Sequence, residues 1–258
     1  MLPTNWFRFI PAREQARLRL VCFPHAGGSA SFFRSWGLYL PDSVELAAVC
    51  YPGREDRICD PLPERMEDLA VPLAAACACL PDLPTVFFGH SMGASVAYET
   101  ALRLERGYGT GLAALCVSGR SAPGGERHRE SLPEDDSELG RELIRIGGTE
   151  VAALVNSELR ELVLPVIRAD FRLIGRYDAR ASASAQPVSA PIVAHYGIAD
   201  EDLDERSVGA WAALTRASFT LRAMPGGHFY LSDDTAGLVH DLMAQLSPAV
   251  LRDPVIVS

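Results

Sequence analysis

Apolar residues along this chain fall into short runs separated by longer stretches with helical periodicity. Leu18–Pro24 (LRLVCFP), Val44–Tyr51 (VELAAVCY), Thr85–Gly89 (TVFFG), Leu112–Ser118 (LAALCVS), Pro191–Tyr196 and Ser218–Ala223 have the length and residue types of buried strands. Between them, Phe32–Leu40, Met66–Leu80 and Ala94–Arg106 read as helices, and Thr235–Leu246 as a closing helix. Ala94–Arg106 is apolar at 94, 97, 98, 101, 102 and 104, the stripe of a helix facing a core. Strand and helix in alternation predict βαβ units. The expected fold is therefore α/β, with a mostly parallel central sheet flanked by helices.

The alternation stops between about Ser121 and Gln186. Ser121–Asp136 is rich in Pro, Gly and charge, Ser137–Ile146 and Thr149–Tyr177 read as helical, and Arg180–Pro187 (RASASAQP) has the composition of a linker. An insertion of this size in a compact domain usually serves as a lid or binding element, and a peripheral helical decoration is the plainer alternative. The expected organisation is one domain over residues 1–258, interrupted by a helical lid at about 121–186.

Composition narrows the function classes. The net charge of −9 is the wrong sign for a general nucleic-acid binder. All 24 basic residues are arginine, a bias that GC-rich coding explains without reference to mechanism. The six cysteines (22, 50, 59, 77, 79, 116) include no CxxC pair. Cys22, Cys50 and Cys116 lie in apolar runs, as small buried hydrophobes do in a reducing compartment. The segment MLPTNWFRFIPAREQ lacks the apolar stretch of a secretory signal, and no run has the length of a membrane span. A soluble cytoplasmic protein that engages neither membrane nor nucleic acid is expected.

The strongest chemical signal is Gly89-His90-Ser91-Met92-Gly93, a G-x-S-x-G between a strand and a helix. Such a turn strains the serine backbone and presents its hydroxyl, and flanking glycines give room for the turn. Ser91 is the candidate nucleophile. A serine hydroxyl needs a base, and on this fold the chain order is Ser, acid, His. Among His25, His90, His128, His195, His228 and His240, His228 has the expected place, in Met224–Phe229 (MPGGHF) just after a strand. His195 lies within a strand and His240 on the last helix. His90 adjoins the nucleophile but should diverge from it, and His25 is placed to line a pocket.

The acid that orients the imidazole is expected at Asp200, which closes Gly197-Ile198-Ala199-Asp200 after a strand; Glu201, Asp202 and Asp204 are nearby rivals. The earlier strand ends in Ser118-Gly119-Arg120-Ser121 without a carboxylate, which favours Asp200. Two backbone N–H donors are needed for an oxyanion. One is expected at Met92, after the nucleophile. The other comes from Phe23–Gly28 (FPHAGG), at Ala26, with Gly27 as the alternative.

Together these stretches resemble the type II thioesterases, the stand-alone editing enzymes of polyketide and non-ribosomal peptide assembly lines. The resemblance rests on FPHAGGSASFFRSW (23–36), YPGRE (51–55), FGHSMGASVAYE (88–99), GIAD (197–200) and PGGHFYL (225–231), and on the helical insertion. It implies an α/β-hydrolase fold with a triad of Ser91, Asp200 and His228 and oxyanion amides at Ala26 and Met92. It also implies a substrate class, acyl groups held as thioesters on the phosphopantetheine arm of acyl or peptidyl carrier proteins. No metal or other cofactor is implied, and a monomer is expected. Carrier proteins are usually acidic, so docking would need a basic patch. Arg120, Arg127 and Arg129, or Arg168, Arg172, Arg176 and Arg180, are the candidates; ordinary solvated arginines are the plainer reading. A carboxylesterase or acyltransferase could use the same triad, and a binding protein could keep the fold without the chemistry.

Overall fold

The computed structural model describes residues 4–10, 16–124, 135, 138–141, 143, 157–181 and 185–250. Its centre is a seven-stranded sheet. The strands are β1 (Phe7–Ile10), β2 (Leu18–Phe23), β3 (Val44–Val49), β4 (Thr85–His90), β5 (Ala114–Ser118), β6 (Ile192–Gly197) and β7 (Phe219–Met224), in the order β1-β3-β2-β4-β5-β6-β7. From β3 to β7 every neighbouring pair is parallel. β1 pairs antiparallel with β3, Phe7 opposite Val49 and Ile10 opposite Leu46. This edge strand was not expected from the sequence, because four residues beside a polar tail carry too little alternation to stand out.

The helices are α1 (Met66–Ala78), α2 (Met92–Tyr108), α3 (Ser157–Ala181), α4 (Glu205–Gly209), α5 (Tyr230–Asp233) and α6 (Thr235–Val250). The segment expected as a helix near Phe32 is a 3-10 helix, Ala30–Leu38. Strand side chains alternate between two apolar layers. Val21, Phe23, Phe87, Leu115 and Val117 pack beneath α1, α2 and part of α3. Leu20, Cys22, Phe88 and Cys116 pack beneath α6 and the 3-10 helix, against Leu238, Leu242 and Trp36. Both faces are covered, so the strands read as continuous apolar runs.

The segment between β5 and β6 contains α3, which runs to Ala181 and so extends into the stretch expected as a linker. Residues 138–141 are helical, and Leu139 and Leu143 pack on Leu164 and Ile167 of α3. Residues 137, 142 and 144–146, half of the segment Ser137–Ile146, and residues 149–156 lie outside the described residues. Among the described residues no helix is long and apolar enough to cross a membrane.

Candidate active site

The strand order reverses beside β2: β3 lies on one side of it and β4 on the other. At such a switch point the loops leaving two parallel neighbours diverge and open a crevice at the carboxyl ends of the strands. The loops after β2 and β4 carry Ala26 and Ser91.

Ser91 joins β4 to α2 with φ 53° and ψ −122°, one of two described non-glycine residues at positive φ. The strain is held by its surroundings. The Ser91 N–H donates to the Ser118 carbonyl at 2.8 Å, and Ala94 N–H donates back to the Ser91 carbonyl at 3.0 Å. The glycines of the motif are there for close approach. A Cβ on Gly89 would overlap the Gly93 backbone, and one on Gly93 would overlap the carbonyls of Phe23 and Pro24. The helix start, the strand end and the β2 loop therefore meet only if both positions lack side chains.

His228 and Asp200 are brought together by two loops that lean on one another. β6 and β7 end in register, Gly197 opposite Met224. Beyond them Ile198 N–H donates to the Met224 carbonyl and Ala199 N–H to the Gly226 carbonyl, both at 2.9 Å. A Cβ on Gly197 would overlap the carbonyls of Gly226 and Gly227, so glycine is required for this contact. The result is a hydrogen bond of 2.7 Å between His228 Nδ1 and Asp200 Oδ2, with the two side chains 10% and 2% exposed. The other carboxylate oxygen, Oδ1, accepts from Asp202 N–H at 3.0 Å. The rivals have other places: Glu201 is exposed, and Asp204 caps α4 by accepting from Ser207 N–H at 2.7 Å.

Ser91 lies at the end of β4 and His228 beyond the end of β7, with the turn at Gly119 between them. A Cβ on Gly119 would lie against the His90 ring and 3.4 Å from His228 Cε1. The Ser91 hydroxyl makes no hydrogen bond among the described residues. Contacts of this kind are often long until substrate closes them.

Of the donors in the β2 loop, Gly28 N–H is taken by the His25 carbonyl at 2.9 Å and Gly27 N–H by Asp170 Oδ2 at 2.8 Å. The N–H groups of Ala26 and Met92 have no acceptor among the described residues. For Met92 this is the orphan donor of a helix's first turn.

Two buried polar groupings were not legible in the sequence. Asp170 on α3 is fully buried; besides Gly27 it accepts from Arg54, itself buried and donating to the Pro52 carbonyl at 3.0 Å. Its signal was an acid on the apolar stripe of α3, in step with Ile167, Leu173, Ile174 and Tyr177, where an unpaired carboxylate would be costly. The second grouping is His90 Nδ1 to Ser118 Oγ at 2.9 Å, and Ser118 Oγ to Tyr230 hydroxyl at 2.5 Å. Burial first, then the neighbouring His228 and His25, pushes the His90 imidazole well below the usual histidine range and keeps it neutral. The His90 ring lies near that of His228, centroid to centroid 5.0 Å. His25 is buried edge-on to Phe32 and Phe229, and His240 is exposed. His195 is buried in β6 and bonds Asp241 Oδ2 through Nε2 at 3.1 Å. His128 lies outside the described residues.

The sequence matches the Thioesterase domain family over residues 18–246. Thioesterase PikA5 of Streptomyces venezuelae is 41% identical over 240 residues, covering 93% of this chain and 84% of that protein. The type II thioesterase BorB, from the borrelidin biosynthetic cluster, superposes with a TM-score of 0.83 at 34% identity, over 94% of this chain and 98% of BorB. RedJ, the thioesterase of the prodiginine pathway in Streptomyces coelicolor, superposes with a TM-score of 0.82 at 35% identity, over 92% of this chain and 93% of RedJ. Sequence and fold together make the chain a member of the thioesterase family, built as a type II thioesterase on the α/β-hydrolase fold.

Proposed function

We propose that this protein hydrolyses acyl groups held as thioesters on the phosphopantetheine arm of a carrier protein, clearing stalled or aberrant chains from a polyketide or non-ribosomal peptide assembly line. The observation that carries the reading is the 2.7 Å bond between His228 Nδ1 and buried Asp200, at the same end of the sheet as the strained Ser91. With Nδ1 donating to the carboxylate, Nε2 is the free base. Ser91 Oγ attacks the thioester carbonyl as its proton passes to His228 Nε2. The C–S bond breaks, and the imidazolium returns that proton to the departing thiolate. Water then attacks the acyl-serine, giving a proton to His228, and the second collapse releases the acid and restores the Ser91 hydroxyl.

In both tetrahedral steps the negative oxygen is received by the N–H groups of Ala26 and Met92. Oriented donors of this type stabilise the charge with little reorganisation, because the backbone already holds them in place. The Gly27 N–H, engaged by Asp170, is left out of this pair. The reaction as written needs neither metal nor nucleotide.

The test is a panel of acyl-carrier thioesters, run on wild type and on Ser91→Ala, together with a fluorophosphonate probe. Wild type should label at Ser91 and release free acid, and Ser91→Ala should lose both the label and at least about 10³-fold in kcat. Hydrolysis that survives in Ser91→Ala, or labelling at another residue, would refute the assignment.

A further inference from the structure

α3 carries arginines in an i, i+4 row: Arg160, Arg168, Arg172 and Arg176, with Leu164 completing the register. Such a row forms one ridge of a helix surface and here spans about 24 Å. All five side chains line one open cleft of about 740 Å³, whose opposite wall is the loop Leu62–Glu64. Arg176 donates to the Glu64 carbonyl at 3.2 Å, which ties the ridge to that wall, and Arg168 also has a partner. Arg160 and Arg172 are exposed and have no ion-pair partner among the described residues. Glu64 and Glu161 also line the cleft, so four guanidinium groups face two carboxylates in a chain whose net charge is −9.

The position of the ridge matters as much as its charge. Asp170 lies between Arg168 and Arg172 on the opposite face of the helix, where it accepts from Gly27 N–H, next to Ala26. A body resting on the arginine side would thus stand about one helix diameter, ~10–12 Å, from the oxyanion loop. The other arginines considered do not offer this. Arg120 is turned inward onto Asp178 and Ser95, and Arg127 and Arg129 lie outside the described residues.

We propose that the arginine row of α3 and the cleft beside it are the docking surface for the acidic face of an acyl carrier protein. The row holds the carrier where its arm can enter at Ala26 and Ser91. This rests on the carrier-thioester reading given above. An acidic protein approaching an acidic enzyme is repelled on average, so a local cationic ridge both steers the encounter and fixes its orientation. Leu62 and Leu164 supply an apolar floor between the charges.

The experiment reverses the two partnerless charges, Arg160→Glu with Arg172→Glu, leaving the tethered Arg168 and Arg176 in place. Each enzyme is assayed on one acyl group presented on a carrier protein and on a small pantetheine thioester. The expected result is a fall of about tenfold or more in kcat/KM for the carrier substrate, through KM, with the small substrate unchanged. Wild-type KM for the carrier substrate should rise with salt, and the variant should lose that dependence. A control reversal, Arg34→Glu with Arg216→Glu, changes net charge equally on other elements and should have little effect.

Unchanged carrier kinetics in the α3 variant would overturn the proposal. So would an equal loss on both substrates, or an equal loss in the control, since neither reports docking at this ridge. A wild-type enzyme that cleaves the small thioester but never the carrier-bound one would instead refute the carrier reading itself.

Discussion

At the scale of single residues, the same pairing, imidazole with carboxylate, does different work in two places. Beyond the carboxyl ends of β6 and β7 His228 meets Asp200, at the same end of the sheet as Ser91. Behind the sheet His195 meets Asp241, and there Arg222 joins them, donating through Nε at 3.1 Å and through a second contact. The hydrogen bond from His195 first, then that from Arg222, holds the Asp241 carboxyl at about 2 against the opposing effect of burial. A carboxyl held below its unfolded value of about 3.9 binds fewer protons when folded. Its stabilisation is complete above about pH 4 and is lost as pH falls through about 2. Asp241→Asn should therefore lower stability to urea at about pH 7, and the gap from wild type should narrow towards about pH 2. Paired urea titrations at the two pH values check this; a constant gap would show that the charge is not the cause.

At the scale of elements, the site depends on how closely loops approach at the carboxyl ends of β4, β6 and β7. The GIAD and PGGH loops touch through backbone, and Gly197 is the residue that permits it. Gly197→Ala forces the two loops apart by the thickness of a methyl group, at a cost of about 1–3 kcal/mol as in other overpacked sites. Separating the loops also lengthens the bond between Asp200 and His228. Activity should consequently fall by more than the melting temperature suggests, measured as kcat on a small thioester at temperatures where the variant is fully folded. Full kcat in a destabilised variant would mean that the loops can part without disturbing the pair. Here the motif letters were informative because their neighbours were: G-x-S-x-G stood between a recognisable strand and helix, and GGH followed another strand.

At the scale of the whole molecule, α3 is tied to the body by the contact of Asp170 with Arg54 and Gly27, residues 116 and 143 positions away. Truncating Asp170 to Ala leaves the Arg54 charge buried without a counterion. The expected loss is about 3–5 kcal/mol, read from denaturant unfolding of wild type and variant. Substituting Arg54 and Asp170 together with apolar residues should recover much of that loss, since the penalty belongs to the orphaned charge rather than to the absent pair. A single variant as stable as wild type would show that water or a rearranged carboxylate already serves Arg54.

What the sequence by itself determined was whatever has a local cause. Apolar runs located the parallel strands to within one or two residues, and helical stripes located α1, α2 and α6, because burial on both faces of a sheet leaves an unbroken apolar run and burial of one helix face leaves a periodic one. Chain order and loop chemistry pointed to Asp200 and His228, which lie 2.7 Å apart, and to Ser91 between a strand and a helix. What only the tertiary structure decided was which distant groups share a burial site. Asp170 with Arg54 and Gly27, His90 with Ser118 and Tyr230, the edge strand β1 beside β3, and the arginine ridge facing Leu62–Glu64 all join residues far apart in the chain. A hydrogen bond or ion pair across such a distance constrains two positions jointly, so even where one stretch carries a signal, as the acid on the stripe of α3 does, that stretch does not name its partner.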